Sequence, residues 1–173
     1  LKNNPNLRPE RTIDYEIGFQ QKLNDRSSIK LSAYYKELRD MIQSRQLTQV
    51  AILGQYTTYD NLDFGTTKGF TFYYDLRRTK NIQMQLSYTL QFADGTGSDA
   101  NSTRGLDFRG VQRSLYPLNF DERHRFGLNL DYSYGEGKKY NGPVLFGRDI
   151  FANAGLNVQM NAVSGRPYTK KLQ

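Results

Sequence analysis

The sequence predicts an all-β chain of about six antiparallel, membrane-spanning strands, part of the wall of a larger transmembrane β-barrel. Three observations lead to this fold class. Apolar and polar residues alternate with a period of two over segments of about ten residues. One face of every such segment stays polar throughout. Short and long connections alternate along the chain, as they do when strands run up and down between the two rims of a barrel.

The first segment runs from Thr12 to Leu23, with Ile13, Tyr15, Ile17, Phe19 and Leu23 on one face and Thr12, Asp14, Glu16, Gln20 and Lys22 on the other. Asn24-Asp25-Arg26-Ser27 supplies turn residues, after which Ile29, Leu31, Ala33 and Tyr35 alternate with Ser28, Lys30, Ser32, Tyr34 and Lys36. The two segments read as a hairpin. A long irregular stretch, 38–67, follows. Then Phe70, Phe72, Tyr74 and Leu76 alternate with Thr71, Tyr73 and Asp75 up to a basic turn at 77–81. The return segment is the most regular: Ile82, Met84, Leu86, Tyr88, Leu90 and Phe92 oppose Gln83, Gln85, Ser87, Thr89 and Gln91. A second long polar stretch, 94–123, leads to Phe126, Leu128, Leu130, Tyr132 and Tyr134 alternating with Arg125, Gly127, Asn129, Asp131 and Ser133. The last strand is expected from Ile150 to Ala162, with Leu156, Val158 and Met160 facing away from Asn157, Gln159 and Asn161.

The polar faces decide between barrel and sandwich. Sandwich strands are shorter, and their outer faces carry a mixed, charge-rich surface. Here Gln, Asn, Ser, Thr and Gly, with some charges, line one side, as in a wide hydrated lumen, and the other side is aliphatic with aromatics toward the strand ends. Short links at 24–27, 77–81 and 135–149 fall on one rim; long excursions at 38–67, 94–123 and from Ser164 onward fall on the other, which would be extracellular. Tyr15, Tyr35, Phe70, Tyr88, Phe92 and Phe126 then lie toward the outer interface and Tyr132 and Tyr134 toward the inner one, which accounts for the 13 Tyr and 10 Phe.

Composition narrows the function classes. A mean hydropathy of −0.74 with no long apolar run leaves no transmembrane helix, which needs about 20 mostly apolar residues, whereas a membrane strand passes unnoticed by bulk hydropathy. Cysteine is absent, so no disulfide framework and no thiolate metal site is expected. The net charge of +7 raises nucleic acid as a partner, but the charges are spread over loops and polar faces, not gathered into one aromatic-studded patch; no nucleic-acid partner is expected. The chain begins at Leu1 with no initiator Met and no signal-like segment, and we read residues 1–173 as part of a single barrel domain with the signal peptide outside it.

Asn4-Pro5-Asn6-Leu7-Arg8-Pro9-Glu10-Arg11-Thr12, running into Tyr15-Glu16-Ile17-Gly18, resembles a motif of the barrels of TonB-dependent receptors. Asn61 followed by Lys68-Gly69-Phe70 resembles a later motif of the same family, with Thr71 where Glu is common. Pro117 to Arg125 and Ser164-Gly165-Arg166-Pro167-Tyr168-Thr169 are similar to runs in the Bacteroidetes branch, so the resemblance covers nearly the whole chain. It implies a barrel of about 22 strands with a plugged lumen, placed in the cell outer membrane of a Gram-negative bacterium. It implies energised import of a bulky ligand such as a siderophore, cofactor, glycan or peptide. The plug domain and the segment that would touch the TonB complex are not in this chain. Outer-membrane lipid and lipopolysaccharide are expected partners, with a surface lipoprotein as a further one. The alternative is an unplugged porin-like or scaffold barrel, which the upstream sequence would distinguish.

No enzymatic chemistry is expected. His124, the one histidine, lies in a charged run with Asp121 and Glu122, but no nucleophile with an orienting group is recognisable beside it, and a lone His makes no metal cluster. Gly95-Thr96-Gly97-Ser98 lacks the Lys-Ser/Thr ending of a phosphate loop, and Asp14 and Glu16 are explained by pore lining. No cofactor is expected. The candidate ligand contacts lie in the long connections: Tyr56 and Tyr59 as stacking residues, with packing inside the loop as the competing reading, and Arg104, Arg109 and Arg113, beside Tyr116, as a basic group for acidic ligands or lipopolysaccharide phosphates, with solvated loop charge as the competing reading.

Overall fold

The computed structural model describes residues 3–50, 54–101 and 114–168. Nine strands follow in chain order: β1 Arg11–Asn24, β2 Ser27–Val50, β3 Gly54–Thr79, β4 Ile82–Gly95, β5 Tyr116–Pro117, β6 His124–Ser133, β7 Val144–Leu145, β8 Arg148–Asp149 and β9 Gly155–Val163. Six of them make one antiparallel sheet in the order β1-β2-β3-β4-β6-β9, with β5 added at the end of β4; β7 and β8 form a separate small hairpin. Neighbours in sequence are neighbours in the sheet, the up-and-down topology that the alternation of connections predicts. Among the described residues the sheet is open, with β1 and β9 at its edges.

The register aligns the sequence faces into continuous bands. Phe19, Leu31, Phe72, Tyr88, Phe126 and Ala162 fall in one cross-strand row, and Ile29, Tyr74, Leu86, Leu128 and Met160 in another. Between them runs a polar row, Gln20, Lys30, Tyr73, Ser87, Gly127 and Asn161, and a second polar row, Lys22, Ser28, Asp75, Gln85, Asn129 and Gln159, lies beyond the latter. A slip by one residue anywhere would mix the two faces, so the amphipathic pattern itself holds the register. The apolar face is left uncovered, with Ile17 76% and Leu156 65% exposed, and among the described residues only Ala93 and Leu118 are buried apolar side chains. A sheet with a smooth apolar face and no core behind it is built for lipid on that side.

Three expectations need correction. The stretch 38–67 is not irregular: β2 and β3 continue through it as a two-stranded ribbon, paired as far as Val50 and Gly54. Register shifts between Leu38 and Met41, between Met41 and Ile42, and between Leu47 and Val50 break the period-two pattern that marks a strand in sequence. Asp40 takes a positive φ of 56° at the first of these. The basic turn contracts to Lys80-Asn81, with Lys80 at φ 55°, because β3 runs on to Thr79. The last strand begins at Gly155, since residues 150–154 are spent on turns and Asn153 has a φ of 59°.

The links after β1, β3 and β6 share one rim. The Arg77 N–H donates to the Arg26 carbonyl at 2.7 Å and the Ser133 N–H to the Asn81 carbonyl at 2.9 Å. The far end of the ribbon, at Val50 and Gly54, and the described residues 96–101 and 114–123 lie toward the other rim. From Gly65, opposite Gly95 at the end of β4, the ribbon projects about 35 Å further at about 3.3 Å per residue.

Candidate functional site

The polar face of the sheet is the first part of the site. Its residues are held by one another as well as by the ladder: Lys36 Nζ pairs with Asp14 Oδ2 at 2.8 Å across β1 and β2, and Ser32 and Thr71 bond through their hydroxyls across β2 and β3. Tyr34 donates to Gln91 Oε1 at 3.0 Å, two strands away. Its ring reaches there by lying over Gly69, where any Cβ would collide with the ring and with the Leu90 carbonyl. This gives a physical reason for the glycine in Lys68-Gly69-Phe70: it clears the wall for an aromatic ring on one face while Phe70 remains on the apolar face. A concavity of about 510 Å³ lies here, lined by Glu16, Lys30, Tyr34, Thr71, Gln91 and Phe120 among others. Carboxylates, an ammonium group, hydroxyls and amides share that surface, which suits a polar ligand or the polar surface of another protein segment.

The second part is the base of the ribbon. Asn61 Oδ1 accepts the Arg8 N–H at 2.7 Å, and its Nδ2 donates to the Arg8 carbonyl at 2.8 Å and to the Asp40 carbonyl. Asn4 Nδ2 donates to the Tyr59 carbonyl at 2.9 Å, and Glu10 Oε1 accepts the Ile42 N–H, beside the register shift, at 2.8 Å. The two sequence motifs, Asn4 to Thr12 and Asn61, are therefore two halves of one joint that ties the N-terminal segment across the ribbon. Each motif is visible in the sequence, but nothing in their spacing pairs them.

The third part, the end of the connection 94–123 that the sequence suggests is a rim loop, folds onto the wall. The Leu118 N–H donates to the Ala93 carbonyl at 2.8 Å, and Asp121 Oδ1 accepts the Ala93 N–H at 3.0 Å. Leu118 fills the space over two facing glycines, Gly65 and Gly95; a Cβ on Gly95 would lie 2.9 Å from Leu118 Cδ2. The pair of side-chain-free positions makes a slot in the polar face, and one leucine closes it. Glu122 then accepts from both Arg125 and Arg166, the latter at 2.7 Å from Oε1. The two arginines hold its carboxyl below the usual glutamate range. His124 and Ser164 exchange backbone and hydroxyl hydrogen bonds in the same joint, so the Pro117–Arg125 and Ser164–Thr169 motifs also meet. His124 itself turns to Tyr88, with Nδ1 2.8 Å from the phenol oxygen, while Asp121 and Glu122 are engaged elsewhere.

Tyr56 and Tyr59 stand opposite Leu47 and Ser44 on the ribbon, three residues apart with no register shift between them, and so point to opposite faces. They do not form one clamp. Tyr59 lines a cavity of about 540 Å³ with Leu7, Glu10, Met41, Ile42 and Asp99. The segment 98–100 lines that cavity too, and Ser44 donates its N–H to the Ala100 carbonyl at 2.7 Å. Arg104, Arg109 and Arg113 lie outside the described residues. Tyr116 is described, and its hydroxyl donates to the Thr96 carbonyl at 2.8 Å.

An amphipathic antiparallel wall, with tight turns after β1 and β3 at one rim and the β2–β3 ribbon and the inward-folded residues 116–121 at the other, defines part of an outer-membrane β-barrel. The sequence matches the family described as TonB dependent receptor-like, beta-barrel, over residues 1–169. The chain belongs to that family, and with it to the cell outer membrane. Among solved structures it is similar to the outer membrane transporter YddB from Escherichia coli, with a TM-score of 0.60 and 19% identity over 77% of this chain and 20% of that one. The likeness is one of fold, and the chain spans one fifth of that transporter's length. No curated protein matches the sequence.

Proposed function

We propose that this chain supplies wall and extracellular capture elements to a TonB-dependent transporter that imports a bulky ligand through the outer membrane. The observation that carries this reading is the polar face together with the segment 116–121 folded over it: an open water channel needs only the wall, whereas here residues 116–121 turn inward over the polar face. The ribbon joint and the Leu118 slot hold the base of the ribbon and residues 116–121 in place, so a ligand meets preformed surfaces there, which lowers the ordering cost of binding. Family membership supports dependence on the TonB complex, and the transporter likeness supports import. Siderophores, cofactors, glycans and peptides all fit a polar, hydrogen-bonding wall of this kind.

The test is uptake by cells expressing the intact receptor. Growth on single candidate ligands as sole source of iron, cofactor or carbon should depend on the receptor and should stop when TonB is deleted. Growth or uptake that survives loss of TonB would mean an unplugged channel and would overturn the proposal.

A further inference from the structure

The link between β6 and β9 is far longer than the other two on its rim, and nothing in the transport reading uses it. It carries a 3-10 turn at Gly137–Lys139 and the β7–β8 hairpin, whose tip is Val144-Leu145-Phe146-Gly147. We propose that this hairpin is a membrane-seated foot, its apolar tip entering the phospholipid of the inner leaflet of the outer membrane beside the barrel wall.

Its position is fixed by aromatic rings. Tyr132 lies in the apolar row opposite Ile82 and Leu156, and Tyr134, two residues on, meets it edge-on with ring centroids 5.3 Å apart. Tyr134 in turn stacks on Phe151 at 5.9 Å and meets Tyr140 at 5.9 Å. Both ends of the hairpin are thus packed against the lipid-facing side of the wall, and the apolar surface of the hairpin is continuous with the apolar band of the barrel. The aromatic rings sit where such rings gather at a membrane interface.

The hairpin is also rigid. Tyr140 donates its hydroxyl proton to the Pro143 carbonyl at 2.7 Å and accepts the Phe151 N–H at 3.3 Å, closing the base. Asn81 and Asn141 join the base to the neighbouring β3–β4 turn through their side-chain amides. Beyond this base, Val144 is 59%, Leu145 52% and Phe146 97% exposed. Phe146 and Gly147 have φ values of 51° and 73°, so both central residues of the turn are left-handed. Asn, Asp or Gly normally fills the first of these positions, and a phenylalanine there goes against backbone preference. An apolar side chain placed at a strained tip, with no protein against it, points to a function for the side chain itself. Lys138, Lys139 and Arg148 are exposed on the same link and outnumber Glu136 and Asp149, with Glu136 engaged by Asn153 at 2.7 Å, as suits anionic headgroups beside the tip.

The inference rests on the barrel facing lipid and not on what the barrel imports. The chain has no cysteine, so single-cysteine variants of the intact receptor, in a background free of other cysteines, carry an environment-sensitive NBD label at Phe146→Cys, Lys139→Cys or Leu86→Cys. The receptor is reconstituted in phosphatidylcholine and phosphatidylglycerol vesicles with or without nitroxide-bearing lipid. Emission at position 146 should shift to the blue and be quenched by shallow nitroxides, more strongly than at position 139, with position 86 quenched by deep ones. Water-like emission at 146 with normal quenching at 86 overturns the foot alone. A blue-shifted but unquenched label at 146 also overturns it, since protein then covers the tip. Loss of quenching at 86 overturns the lipid-facing assignment and the foot with it.

Discussion

Glu122 joins two segments that are distant in sequence, its own and that of Arg166, and its chemistry makes the joint sensitive to acid. Hydrogen bonds from Arg125 and Arg166 favour the carboxylate and lower its pKa from the ordinary 4.5. A group whose pKa is depressed on folding contributes stability that is fully present above the ordinary value and is lost as pH falls through the depressed one. The joint should therefore be closed at neutral pH and should loosen only below about pH 4.5. The reporter is the Ser164 amide, which donates to the His124 carbonyl at 2.9 Å. Its hydrogen-exchange protection, corrected for intrinsic rate, should be level above that pH and fall below it. In Glu122→Gln it should be low and flat across the range. A wild-type profile without an acid step would remove Glu122 from its role as the link between the two motifs. Tyr34 over Gly69 and Leu118 over Gly65 and Gly95 show the same economy at this scale: a glycine on the wall marks where another residue must lie.

At the scale of the strand, the two faces have different solvents, and this is what the sequence pattern encodes. Leu86 stands between Tyr74 and Leu128 in an apolar row, and Ser87 between Tyr73 and Gly127 in a polar one. Leu86→Arg puts a charge into hydrocarbon and should cost about 2–4 kcal/mol of barrel stability, while Ser87→Arg, in the hydrated lumen, should cost much less. Unfolding of the intact receptor from vesicles by denaturant reads the difference, and equal losses would reverse the facing assignment. The strands β1, β4 and β6 were legible because apolar and polar side chains alternate along them with a period of two. The ribbon beyond Leu38 was not, because each register shift turns the side chains over and leaves a sequence that looks like loop, although the hydrogen bonds continue. The start of β9 was misplaced for a related reason: Ile150, Ala152 and Ala154 keep the alternation while their backbone turns. Nor could sequence show that Pro117–Asp121 folds inward. A turn of polar and apolar residues reads as a rim loop until the glycine slot that receives Leu118 is seen beside it. The candidate tyrosines illustrate the same limit, since their spacing of three separates them on a strand and would bring them together on a helix.

The whole sheet is held by backbone pairing and lipid contact, with little packed core of its own, and this makes closure the condition for stability. Among the described residues β1 offers a free edge along Arg11–Asn24 and β9 along Gly155–Val163. In hydrocarbon each unpaired backbone N–H or C=O costs several kcal/mol, so two open edges of this length outweigh what the apolar face gains from lipid. In water the balance is no better, because the apolar rows from Phe19 to Ala162 would be exposed. Residues 1–173 expressed alone should therefore fail to insert as a monomer, whereas the same residues within the intact receptor should form a barrel. Refolding into detergent micelles followed by electrophoresis with and without boiling separates the two states, since a closed barrel resists SDS and migrates differently until heated. The isolated chain should show no such shift and should run as aggregates or as edge-paired oligomers. A heat-sensitive monomeric band from residues 1–173 would mean that β1 and β9 can pair with each other. The wall would then be complete with six principal strands, and its lumen too narrow for the import of any bulky ligand.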